Sequence, residues 1–281
     1  MTLLHILVLA VIQGIAELLP VSSSAHVIAA EKLMGLDPTA PEMTVLLVLL
    51  HTGTMFAVIV YFWKAWREAY FSSARAFREI VILLAVATAL TAVVGLGLQE
   101  LIKHVFAADA SKFEIEQLFG NTKLMAAALV AAGVLIIASS RLRERNGMLT
   151  PRRAALIGAV QGLCLPFRGF SRSGATISTG LAAGISRKRA EEFSFALAVV
   201  LTPPVIAKEV WRLHGAKSAV APLAGHEMMS LLAPGLLGMV FSFLAGLLAL
   251  RWLSRWLEAD RWHLFGGYCI LAAVGVWFLG R

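Results

Sequence analysis

The sequence predicts an all-α integral membrane protein with six transmembrane helices and two re-entrant helix hairpins in an inverted-topology repeat. Three observations predict it. Of the 281 residues, 59% are hydrophobic and 15% charged, with a mean hydropathy of +0.79, which is more apolar surface than a soluble domain can hide. The apolar runs are continuous over about 18 to 23 residues rather than alternating, which suits helices and not barrel strands. Two further apolar stretches are interrupted near their middles, leaving halves too short to cross.

In chain order, the first broken stretch covers residues 3–36 and is interrupted at Pro20. Full spans follow at 43–63, 79–101 and 123–140. The second broken stretch, 152–185, is interrupted from Pro166 to Gly169, and spans at 190–209, 230–250 and 264–280 complete a single membrane domain. Residues 1–140 and 152–281 thus each hold one broken hairpin and three crossings. Because three is odd, the halves insert with opposite orientation, and such repeats carry their site at the repeat interface near the bilayer midplane. The two hairpin tips are expected to meet there.

The net charge of +8 could suggest nucleic acid, but the positions of the basic residues argue for membrane topology and no nucleic-acid partner. Lys64, Arg67, Arg75 and Arg78 follow the first span. Arg141, Arg143, Arg145, Arg152 and Arg153 follow the third. Arg187, Lys188 and Arg189 precede the fourth, and Arg251, Arg255 and Arg261 follow the fifth. These fifteen fall on one side, against seven on the other: Lys32, Lys103, Lys112, Lys208, Arg212, Lys217 and Arg281. The positive-inside rule makes the richer side cytoplasmic and puts both termini outside. Residues 3–19 have no basic flank, so they are not read as a cleaved signal. Cys164 and Cys269 sit in apolar context and are expected to be unpaired, buried thiols.

The polar residues inside the two broken stretches are costly at membrane depth and mark function there. The first reads QGIAELLPVSSSAH from Gln13 to His26; the second reads QGLCLPFRGFSRSGAT from Gln161 to Thr176. Pro20 stops one half-helix, and Ser22 or Ser23 is placed to cap the next. Gly169 breaks the second hairpin, and Ser171 is placed to cap the helix after it. Two half-helix N-termini therefore point inward, each an anion site. Arg172 adds a planar fork that matches phosphate oxygens, with Ser171, Ser173 and Thr176 as hydroxyl donors around it. The ligand implied is a phosphate group.

The first motif adds reactive groups. Gln13 and Glu17 share a helical face, and His26 lies three and four residues from Ser23 and Ser22. A serine beside a histidine with a carboxylate in reach can activate a hydroxyl nucleophile. The histidine could also attack phosphorus directly, or Glu17 could activate water; the sequence does not rank the three. Plainer roles compete: Glu17 as a structural partner of Arg172, and the serines as packing residues. His51, in LHTGT of the first span, reads as a hydrogen-bonded structural histidine.

QGIAELLPVSSSAH and the later RGFSRSGAT resemble the two signature motifs of the bacterial undecaprenyl-diphosphate phosphatase family, a likeness that runs over nearly the whole chain and includes RKRAEEFSFALAVVLTPP from Arg187. The resemblance implies hydrolysis of a polyprenyl diphosphate to its monophosphate at the outer face of the cytoplasmic membrane, recycling the lipid carrier of cell-wall synthesis, in an interlocked re-entrant fold. It assigns the site to Glu17, Ser22, Ser23, His26, Ser171, Arg172, Ser173 and Thr176. Gln13 takes a position where many relatives have Glu, and Gln161 is its counterpart in the second motif. Arg168 stands where the family has proline; it either adds a second phosphate contact or pairs with Glu17.

The family is described as needing a divalent cation. Glu17 is the sole motif carboxylate, whereas Mg²⁺ or Ca²⁺ wants several oxygen ligands, so the expected ion is bridged mainly by the substrate's diphosphate. The partners expected are the lipid substrate and membrane lipids, with room for a homodimer. Two other readings are weighed. A lipid-phosphate flippase or transporter fits inverted repeats and midplane anion sites. A soluble-type lipid phosphatase is echoed by SSSAH and SRSGAT, but its Lys-x₆-Arg-Pro element is absent and no histidine follows Arg172 before His214.

Overall fold

The computed structural model describes residues 2–37, 41–106, 121–143, 145–217 and 225–279. Asp109, Lys112, Glu114, Glu116, Arg281 and the last position of the predicted sixth span lie outside the described residues. The described chain forms ten α-helices: α1 (Leu3–Leu18), α2 (Ser23–Leu33), α3 (Pro41–Ala69), α4 (Ala74–Phe106), α5 (Thr122–Ser140), α6 (Pro151–Leu163), α7 (Arg172–Ala182), α8 (Arg187–Lys217), α9 (Gly225–Glu258) and α10 (Trp262–Phe278). Among the described residues the sole β-type pairing is a bridge between Gly147 and Ile185.

Among the described residues, five segments are long and apolar enough to cross a bilayer: Val45–Ala69, Ala74–Val105, Thr122–Ser140, Arg187–Ala207 and Pro234–Glu258. Helix α10, expected as a sixth span, is apolar over 17 residues, at the short end for a crossing. The broken stretches fold as expected into four short pieces of 16, 11, 13 and 11 residues. The outer faces are greasy: Val60, Val93, Leu96, Leu101, Leu248 and Leu271 are all exposed. With lipid as solvent this costs nothing, since apolar side chains there replace no water. The chain is a multi-pass membrane protein.

Because burial of apolar groups does not drive helices together in lipid, close backbone approach must do so, and small residues permit it. Helix α1 packs on α9 and α6 packs on α4, each through the glycine of a Gln-Gly pair. A Cβ on Gly14 would lie 2.6 Å from the Ser242 carbonyl oxygen, and one on Gly162 would lie 2.9 Å from the Thr91 carbonyl oxygen. Helices α5 and α10 meet at Gly133 and Gly266, where an added Cβ on either would lie 2.7 Å from the other's carbonyl oxygen. The tightest of these seams is at Gly158, whose Cβ would be driven into the Ala87 carbonyl oxygen. Gly158→Ala is expected to force α6 off α4 and cost about 1–3 kcal/mol, as overpacking does, read as a lower thermal midpoint in detergent; an unchanged midpoint would show that the seam yields.

Candidate active site

The site begins where α1 must stop. Gln13 and Glu17 lie one turn apart, and Gln13 Nε2 donates to Glu17 Oε2 at 3.1 Å. Leu19 turns extended (φ −76°, ψ 153°) ahead of Pro20, because a proline disfavours helical geometry in the residue before it. Ser22 then adopts φ +68°, a left-handed conformation that L-residues hold only when the surroundings impose it. That reversal starts α2 at Ser23, whose hydroxyl points back and donates to Glu17 Oε2 at 2.6 Å. Ser22 occupies the cap position of α2, but its side chain makes no capping bond; its hydroxyl lies 3.3 Å from that of Ser24.

The second break supplies the cation. Gly169 takes φ +104°, and a Cβ there would strike the Met125 carbonyl oxygen, so the turn requires glycine. Ser171 caps α7 as expected, its hydroxyl accepting from the Gly174 N–H at 3.2 Å. Arg172 is thereby fixed at the first position of α7, and its Nη2 donates to Glu17 Oε1 at 3.2 Å. Ser173 Oγ donates to the Leu19 carbonyl at 3.2 Å, across the two breaks. The hairpin tips do meet.

Glu17 therefore receives Gln13 and Ser23 on one oxygen and Arg172 on the other, with His51 Nε2 at 3.6 Å from Oε2. The Glu17 and Arg172 side chains are 18% and 25% exposed, so the pair is partly screened from solvent. Arg172 Nη1 is buried without a hydrogen-bond partner. A buried guanidinium donor left empty is expensive. Arg172 and Ser23, the first residues of α7 and α2, share Glu17, and the dipoles of two helix N-termini also favour an anion.

The remaining expected residues divide between site and support. His26 Nδ1 lies 2.8 Å from the Ser22 carbonyl and Nε2 lies 2.7 Å from the Tyr268 hydroxyl; neither serine hydroxyl is its partner. Thr176 spends its proton on the Arg172 carbonyl at 2.8 Å and receives Ser194 at 2.6 Å, which stiffens α7 against α8. Gln161 donates to Thr91 Oγ1 of α4 at 3.2 Å, so the two Gln-Gly motifs share packing but not position in the site. Arg168 interacts electrostatically with Glu31 of α2, while Glu17 takes Arg172. Cys164 and Cys269 are free thiols, Cys269 buried as expected and Cys164 only half-buried at the end of α6, and Cys269 Sγ contacts the Pro20 carbonyl at 3.2 Å.

Two participants were not legible as such. His51 has the expected structural bond, Nδ1 to the Leu47 carbonyl at 2.8 Å, yet its other nitrogen faces Glu17. The LHTGT segment was the available signal, a polar cluster in an apolar span. Tyr268 had none, being one aromatic residue in an apolar helix.

The described residues do not fit a divalent cation held by protein alone. They contain no cluster of three or more acidic, histidine or cysteine side chains of metal-site type, and both oxygens of Glu17 are already engaged. Millimolar Mg²⁺ or Ca²⁺ should therefore leave the thermal midpoint of the substrate-free protein unchanged, since an ion that does not bind the native state cannot stabilise it. A rise of several degrees would show a protein-held site.

Fold and site together define a helical membrane protein in which two broken hairpins bring a glutamate, a serine and an arginine to one anion-ready point. The chain belongs to the bacitracin resistance protein BacA family, whose pattern it matches over residues 6–275. It is 66% identical over 271 residues to undecaprenyl-diphosphatase 2 of Acinetobacter baylyi, covering 96% of this chain and 95% of that protein. It is also 33% identical to undecaprenyl-diphosphatase 2 of Burkholderia ambifaria, covering 100% and 97%, and 28% identical to undecaprenyl-diphosphatase of Korarchaeum cryptofilum, covering 98% of each.

Proposed function

We propose that this protein hydrolyses undecaprenyl diphosphate to the monophosphate and inorganic phosphate at the outer face of the bacterial cytoplasmic membrane, recycling the lipid carrier of peptidoglycan synthesis and conferring bacitracin resistance. The observation that carries the reading is the empty, buried Arg172 Nη1 beside the Ser23–Glu17 hydrogen bond. The names of the relatives support the substrate. Phosphoryl transfer is catalysed mainly by positioning and by neutralising charge on the transferring group, which Arg172 and the N-termini of α2 and α7 supply. Arg168, Ser171, Ser173 and Thr176 shape the phosphate side of the site, Ser22 and Gln13 the reactive side.

The geometry favours Ser23 as attacking group. Its Oγ bonds to the terminal phosphorus, its proton passes to Glu17 Oε2, and the bridging P–O bond breaks to release the lipid monophosphate. Water then attacks the phosphoserine, its proton is taken up by His26, phosphate departs as Glu17 returns the proton to Ser23, and His26 gives its proton up to bulk water. If a divalent cation takes part, the diphosphate oxygens would hold it and it would neutralise their charge.

The matched glycine seams, Gly14 on α9 and Gly162 on α4, support an inverted repeat of six crossings and two re-entrant hairpins spanning 1–140 and 152–281. The ion pair of Arg187 with Asp260 joins two of the basic segments, which supports a cytoplasmic side there and termini outside. The same pseudo-symmetry favours lipid-phosphate transport as the second reading. Purified protein given a long-chain polyprenyl diphosphate should release one phosphate per lipid consumed. Folded protein that moves lipid phosphate across vesicles without releasing phosphate would establish transport instead.

A further inference from the structure

In the proposed second step His26 is the base. Its two ring nitrogens are bound differently. Nδ1 lies 2.8 Å from the Ser22 carbonyl oxygen, which can only accept, so Nδ1 carries a proton. In the neutral ring Nε2 is then the basic nitrogen, and it lies 2.7 Å from the Tyr268 hydroxyl. The two ring planes are nearly parallel, with centroids 5.6 Å apart and 13° between planes, as an in-plane bond to Nε2 requires. Tyr268 reaches across from α10, which is packed on α5 and tied to the first break by Cys269 Sγ on the Pro20 carbonyl.

We propose that Tyr268 is the positioning residue for His26, holding the imidazole in the Nδ1–H tautomer with the Nε2 lone pair aimed along a fixed line. The role rests on the phosphatase reading above. A phenol suits it because its hydroxyl serves both charge states of the ring: it donates to Nε2 when the imidazole is neutral, passes that proton to Nε2 as it takes up the one shed by the attacking water, and then accepts from Nε2–H. No further group need move for the ring to be charged and discharged. The strained φ of Ser22 belongs to the same arrangement, since it aims the carbonyl that fixes the other nitrogen.

The test pairs kinetics with a spectroscopic signature. Tyr268→Phe keeps the ring and removes the hydroxyl alone. The expected result is a fall in kcat of about tenfold, the scale of one lost hydrogen bond, with KM within about twofold and an unchanged thermal midpoint. In protein labelled with ¹⁵N-histidine, with the His26 signals assigned by comparison with His26→Gln, the Nε2 resonance should move toward that of an unprotonated, unbonded ring nitrogen. A Tyr268→Phe protein with wild-type kcat, a loss confined to KM, or an Nε2 signal that does not move would overturn the proposal. Wild-type protein that releases no phosphate would refute the functional reading and the role with it, while the ¹⁵N comparison would still report whether the contact exists.

Discussion

Arg172→Lys is expected to cut phosphate release by about a hundredfold or more while the protein remains folded. Lysine keeps the charge, so Glu17 keeps a counter-ion, but an ammonium cannot present one N–H to Glu17 and a second, coplanar one to a phosphate oxygen. Loss of one preorganised donor at a site of developing charge costs about 10²–10³ in rate. Arg172→Ala should be worse, because it also leaves Glu17 partly buried without its cation. The lysine variant is the sharper probe: retained activity there would mean that Arg172 acts as a bulk charge and that the empty Nη1 does not mark the phosphate.

Ser23→Ala is expected to lower kcat by about a thousandfold or more, the scale on which nucleophiles are missed, whereas Ser22→Ala should stay within about tenfold of wild type. The structure separates these adjacent hydroxyls. Ser23 Oγ lies 2.6 Å from the carboxylate that would take its proton, and Ser22 Oγ lies 3.3 Å from another hydroxyl, that of Ser24. Substantial activity in Ser23→Ala would transfer the role to a water activated by Glu17 and retire the phosphoserine. The two variants read in one assay thus rank the attacking groups that the motif alone leaves equal.

What the sequence discloses and what it hides follow from where each constraint acts. The breaks at Pro20 and at Gly169 are local: a proline follows the end of α1, and the loop between α6 and α7 turns at Gly169 with φ +104°, so both sites of interruption can be read from the residues concerned. The meeting of Glu17 with Arg172 is what an inverted repeat would require, since opposite insertion would bring the two tips to one depth. Helix lengths were legible only as far as the apolar run. Helix α4 extends over 33 residues against a predicted span of 79–101, because a helix continues into polar surroundings as long as its own hydrogen bonds are satisfied.

The polar partners were less legible. Ser22 and Ser23 both look like caps for α2, yet the left-handed turn at Ser22 spends its carbonyl on His26 and frees Ser23 for Glu17. Motif similarity places Gln161 with Gln13, but the first is taken by Thr91 of α4 and the second by Glu17, a difference set by which helix each glycine lets in. Tyr268 lies 242 residues from His26 in a helix with no motif. A contact of that kind is fixed by packing of α10 on the breaks and leaves no periodic trace.

The most direct test of the account is phosphate release from a long-chain polyprenyl diphosphate by detergent-purified protein, wild type beside Arg172→Lys, with both products quantified. The account predicts equal amounts of lipid monophosphate and inorganic phosphate from wild type and a loss of at least about a hundredfold in the variant. Folded wild-type protein that leaves the diphosphate intact, or a lysine variant as fast as wild type, would contradict it.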